Sequence, residues 1–132
     1  MSSKASVPIS SPAPFGTGVV ARITAVRAVQ GHPKGPGQLA GPAVAVYITL
    51  TNGTDKPAAL QPVINLSYGP AHSPASPISG APAQPFPHSL PAHGSVRGVY
   101  VYTVPAAQRR HVVVEVSYTA RAPIVRFAGP VA

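Results

Sequence analysis

The chain has 132 residues, of which 45% are hydrophobic, 6% are aromatic and none is tryptophan. That length suits one domain burying about two-thirds of its extended surface, with a core filled by Val, Ile, Leu and Ala. Ten Lys and Arg stand against two acidic residues, for a formal charge of +8, so the surface is positive and chemistry needing several carboxylates is excluded. Cysteine is absent, which removes disulfides, thiolate nucleophiles and thiolate metal sites together.

No apolar run approaches the ~18–20 residues of a membrane span, and Met1–Lys4 is not followed by the apolar core of a signal peptide, so the sequence reads as either cytoplasmic or exported with its signal removed. Residues 1–17, MSSKASVPISSPAPFGT, carry Ser and Pro with no sustained period of 2 or 3.6. They read as an arm or linker preceding a domain over residues 18–132.

From Gly18 the pattern changes. Val19, Ala21, Ile23 and Ala25 alternate with Arg22 and Thr24, which predicts a half-buried strand. Continued alternation would turn Arg27 inward, so a bulge or a change of facing is expected near Ala25–Val26. The Gly- and Pro-rich residues 31–42 predict a loop. Val44, Val46, Ile48 and Leu50 then alternate against Ala45, Tyr47, Thr49 and Thr51 up to Asn52-Gly53, a dipeptide expected to adopt positive φ in a turn.

Residues 60–68 predict a third strand with Ile64, Leu66 and Tyr68 on one face and Pro62 marking an edge or a strand start. The proline-dense stretch from Gly69 to Gly94 excludes helix and is longer than the ~12–15 residues of an unstructured connection, so a short edge strand is expected near Ala75–Ser79. Residues 95–104 place Gly98, Tyr100, Tyr102 and Val104 on one face and Arg97, Val99, Val101 and Thr103 on the other, both partly apolar, and predict a central strand. Residues 111–119 place Val112, Val114, Val116 and Tyr118 on one side, and PIVRFAG closes the domain with Val125 and Phe127 inward and Ile124 and Arg126 outward. This is the pattern of an all-β fold, an immunoglobulin-like antiparallel β-sandwich of about seven strands, with a barrel as runner-up.

Three segments carry a resemblance: GPAVAVYITLTNGTDKPAAL, GSVRGVYVYTVP and VVVEVSYTARAPIVRFAG. Over Gly18–Gly129 the chain resembles the bacterial extracytoplasmic immunoglobulin-like domains of unknown function. Members are often lipoproteins behind a low-complexity linker and are sometimes labelled as telomeric-repeat-factor-like immunoglobulin domains. Its motifs are the strand ending in Thr-Asn-Gly-Thr, the Gly-x-Tyr-x-Tyr-x-Val-Pro strand at Gly98–Pro105, and Phe127 with Gly129. The resemblance implies a sandwich fold and an extracytoplasmic location, in the cell envelope or secreted. It carries no catalytic residue.

The chemistry available is narrow. Asp55 lies in a turn and Glu115 lies on a strand as a solvated or Arg-paired residue, so no hydrolytic acid/base pair is expected and the chain is read as a non-enzyme. His32, His72, His88, His93 and His111 fit no compact metal motif, and His88 with His93 is the pair to test; no metal site and no cofactor are expected. No Gly-x-Ser-x-Gly elbow is present. The loop at Gly31–Gly37 lacks Gly-Lys-Ser/Thr and leads into a strand, so it is not a phosphate loop. Two Asn-x-Ser/Thr triplets, at Asn52 and Asn65, are explained by turn and strand roles.

Three roles follow. The first is a non-enzymatic interaction module with a protein partner and no small-molecule substrate. The second is self-assembly, in which an arm tipped by Val7, Ile9 and Phe15 adds to a sheet edge of a neighbouring copy. The third is binding of an anionic polymer through a patch of Arg109, Arg110, Arg121 and Lys34, with generic solubilising charge as the simpler account of these residues.

Overall fold

A computed structural model of the chain describes residues 7–9, 11–31, 41–69, 71, 73–78, 84–108, 110–119 and 124–129. Among these, the strands in chain order are β1 (Val7–Pro8), β2 (Ala13–Pro14), β3 (Val19–Gly31), β4 (Gly41–Asn52), β5 (Ala58–Ala59) and β6 (Val63–Tyr68). They continue with β7 (Ser73–Pro74), β8 (Ser76–Ile78), β9 (Ser89–Leu90), β10 (Ser95–Thr103), β11 (Val112–Ser117) and β12 (Val125–Gly129). A single 3-10 turn, Ala106–Gln108, links β10 to β11.

Alternation drives the assembly. Val44, Val46, Ile48 and Leu50 of β4 are fully buried, and they meet Val112, Val114 and Val116 of β11 and Val125 and Phe127 of β12 in one core. Each such side chain contributes about 1.5–3 kcal/mol relative to exposure. The sheets have the orders β1-β12-β11-β6-β7 and β2-β3-β4-β10-β8, and β5 pairs with β9 separately. The chain passes between the two sheets four times among the described strands, between β1 and β2, after β4, between β7 and β8, and after β10. The fold is therefore an all-β sandwich, with β3-β4-β10-β8 facing β12-β11-β6-β7 in the immunoglobulin-type order.

Several expectations are refined. The register of β3 on β4 shifts between Ile23 and Ala25, leaving Thr24 as the extra residue, so Arg27 pairs with Ala45 and returns to the outer face. The edge strand expected near Ala75–Ser79 is β8, which pairs with β10, and β10 lies between β4 and β8 as a central strand should. The loop expected over 31–42 is shorter, because Gly31 pairs with Gly41 and Gln30 with Pro42. Residues 32–40 lie outside the described residues.

The arm differs most from expectation. Val7 and Pro8 pair in parallel with Phe127 and Ala128, and the Ile9 N–H donates to the Ala128 carbonyl at 3.2 Å. Ala13 and Pro14 pair with Ala21 and Val20 in the opposite sheet. Phe15 is 1% exposed, its ring edge-to-face with Tyr118 at 4.7 Å. Over its described residues the segment is thus part of the sandwich, and no structural break falls between Thr17 and Gly18. Its prolines restrict ladder hydrogen bonding, so its apolar side chains carry the docking. Gly18, at φ +98, lies so close to Thr54 Cγ2 that a Cβ would meet it at 2.4 Å.

Candidate functional site

Asn52 is the one buried polar residue of the described chain, 1% exposed at the end of β4. Its Oδ1 accepts from the Thr54 N–H at 2.9 Å and from the Thr54 hydroxyl at 2.6 Å, and its Nδ2 donates to the Lys56 carbonyl at 2.8 Å. The Asn-Gly turn therefore works through the side chain of Asn52. Gly53 does not take the positive φ expected of it. His93 does, at φ 56, and its Nε2 lies 2.7 Å from Asp55 Oδ1 on the surface. Turn 52–56 and turn 91–94 are further joined by the Asn52 N–H to the Gly94 carbonyl at 2.9 Å.

The Gly-x-Tyr-x-Tyr strand is explained by packing. A Cβ at Gly98 would meet Tyr100 at 2.9 Å and Phe86 at 3.0 Å, so glycine leaves room for that aromatic pair. The Phe86 N–H donates to the Tyr100 hydroxyl at 3.1 Å, while the Tyr102 hydroxyl donates across the sandwich to the Ile64 carbonyl of β6. Burial pushes both phenols above the ordinary tyrosine range, Tyr102 far more, and at Tyr102 the neighbouring Tyr100 adds to the effect. These tyrosines are structural.

The outer face of the β12-β11-β6 sheet carries Asn65, Glu115 and Arg126 in one cross-strand row, with Arg126 Nε donating to Glu115 Oε2. The pair is half-buried and stands beside an open concavity of about 560 Å³ bordered by Ser67, Pro74 and Val113. Exposed Val63 and Ile124 lie on the same face, flanking the Ser117 row.

The outer face of the β3-β4-β10 sheet is divided. One end is apolar and covered, with Ala43, Ala45, Ile78, Val99 and Val101 buried together. The other end is polar. There Arg22 and Arg97 both pair with Thr49, on either side of it, and Val20, Thr51 and Ser95 form the next row. Arg22 and Arg97 are exposed, and Thr51 and Ser95 share a hydrogen bond of 3.1 Å.

Of the residues singled out for an anionic polymer, Arg110 is exposed beyond the 3-10 turn, whereas Lys34, Arg109 and Arg121 lie outside the described residues. His32 and His72 also lie outside them. His88 and His111 are exposed, and among the described residues no group of three or more His, Asp or Glu could hold a metal ion. Among the described residues no helix is long and apolar enough to cross a membrane. The Arg22–Thr49–Arg97 row escaped the sequence reading because each arginine sits on a different strand and only the pairing register joins them.

No family model and no curated protein sequence matches the chain. Among solved structures it is similar to ycdA of Bacillus subtilis, a protein provisionally named as a lipoprotein, with a TM-score of 0.63 and 14% identity over 94% of this chain. The chain spans 39% of that protein's length. It is also similar to an uncharacterized β-sandwich protein of Clostridium difficile, with a TM-score of 0.55 and 10% identity, covering 97% of this chain and 96% of the other. At these identities the likeness is one of fold, and it agrees with the sandwich described above.

Proposed function

We propose that this chain is a non-enzymatic interaction domain acting outside the cytoplasm, at the cell envelope or secreted. The observation that carries this is the fate of its two carboxylates. Asp55 is held by His93 in an exposed turn, and Glu115 is held by Arg126 on a sheet face, so neither stands beside the other as an acid/base partner. What the sandwich offers instead is surface, two broad outer faces on a rigid frame. Support for the location comes from the resemblance of the strand motifs to those of extracytoplasmic domains and from the fold likeness to a protein named as a lipoprotein.

Self-assembly takes second place. Val7, Ile9 and Phe15 already occupy their own chain's sandwich, so assembly through them requires exchange between copies.

The test is sedimentation of the purified chain with isolated bacterial envelopes, alongside an assay panel for ester, phosphoester and glycoside hydrolysis. Saturable binding that survives Asp55→Asn and Glu115→Gln is expected. A turnover abolished by either substitution would overturn the proposal.

A further inference from the structure

We infer that the Arg22–Thr49–Arg97 row is a binding face for an acidic polysaccharide; this rests on the interaction-domain reading and names its partner class. Charge is the first ground. The whole sequence holds two side-chain carboxylates, and both are taken, by His93 and by Arg126. The chain carries a formal charge of +8, so Arg22 and Arg97 share a sheet face with no side-chain acid to offset them. Two like charges held on one rigid face favour an anion that bridges them.

Spacing is the second ground. The two arginines lie on β3 and β10 with β4 between them, which sets their backbones about 10 Å apart, two strand separations. Because the row is pinned by ladder pairing on both sides of Thr49, that separation is fixed before any ligand arrives. A linear polymer with one acidic group per two-sugar repeat presents charges at a comparable interval. Arginine can hold each carboxylate or sulfate through two parallel N–H donors.

The third ground is the chemistry between and beside the charges. Thr49, Ser95 and Gln84 border a shallow concavity of about 380 Å³ next to Arg97, and Thr51 lies against Ser95. Hydroxyl and amide groups of this kind exchange hydrogen bonds with sugar hydroxyls. Nucleic acid is a poorer fit, since bases bind single-strand sites by stacking on exposed aromatics. Among the described residues the aromatic of this face is Tyr47, which is half-buried with the Arg27 guanidinium 6.0 Å from its ring centre.

The experiment measures binding of the full chain to fluorescently labelled hyaluronan and κ-carrageenan oligosaccharides, which carry one carboxylate and one sulfate per two-sugar repeat, and to an oligothymidylate of matched charge, at low salt and at about 0.3 M salt. Arg22→Ser/Arg97→Ser is compared with Lys56→Ser/Arg126→Ser, which removes the same charge from a turn and from the opposite sheet, and urea unfolding verifies that each variant is folded. The expected result is saturable binding to at least one of the two glycans, weakened about tenfold or more by Arg22→Ser/Arg97→Ser and less than about twofold by the other pair. Arg22→Lys/Arg97→Lys should recover only part of the loss. Equal losses from the two serine pairs, tighter binding of the oligothymidylate, or binding to neither glycan would each overturn the inference. Retention on isolated envelopes without glycan binding would remove the polysaccharide and leave the interaction domain standing; loss of both would remove both.

Discussion

Replacing Phe15 by alanine separates a tethered arm from a structural strand. In a free arm the change would cost nothing. Here the ring is 1% exposed among Ala13, Val19 and Tyr118, so its removal leaves a cavity the neighbouring strands cannot close, at about 3–5 kcal/mol. The edge-to-face contact with Tyr118 accounts for about 0.5–1.5 kcal/mol of that. With a urea slope of about 1–3 kcal/mol/M, the midpoint should fall by between about 1 and 5 M with the slope unchanged. Equilibrium unfolding followed by tyrosine fluorescence and by circular dichroism reads this directly. A double-mutant cycle with Tyr118→Leu then isolates the ring–ring contact. A midpoint shift of a few tenths molar would refute the placement of the N-terminal segment in the core, and coincident transitions by the two probes are required for the comparison to hold.

Other expectations are equally direct. Asn52→Ala strips the bonds that hold turn 52–56 and should destabilise the domain by about 1–3 kcal/mol in the same unfolding assay. Gly98→Ala drives a methyl into Phe86 and Tyr100 and should cost about 1–3 kcal/mol, and an alanine as mild there as at a solvent-facing position would contradict the packing. Because burial holds the folded Tyr102 phenol above its ordinary value, the unfolded chain ionises first, so stability is full below about pH 10 and falls as pH rises beyond it. Tyr102→Phe should flatten that decline in unfolding midpoints measured across alkaline pH. Glu115→Gln should change stability by less than about 1 kcal/mol, since its pair with Arg126 is half open to solvent.

Much of the sandwich was legible because period-2 alternation is a local signal. The inward sets Val44–Leu50 and Val112–Val116 can be read from neighbours in sequence, and so could the need for a bulge, because Arg27 would otherwise have been buried. The arm was not legible, since Val7, Ile9 and Phe15 are spaced by prolines and their partners Phe127, Gly129 and Tyr118 lie at the other end of the chain. Asn52 reads as a turn former by composition, and its burial depends on Leu90, which arrives from a segment 38 residues away. The arginine row is illegible for the same reason, being a property of register across three strands.

The parallel pairing of β1 with β12 has a mechanical consequence. Tension applied through Val7 and Gly129 pulls these two strands past one another along their length, so the ladder bonds and the apolar contacts beneath them share the load together. An antiparallel pair pulled from adjacent ends would instead open one bond at a time, like a zip. The first residues of the sandwich and the last thus form a shear clamp. A domain built this way resists a lengthwise pull between its first and last described strands.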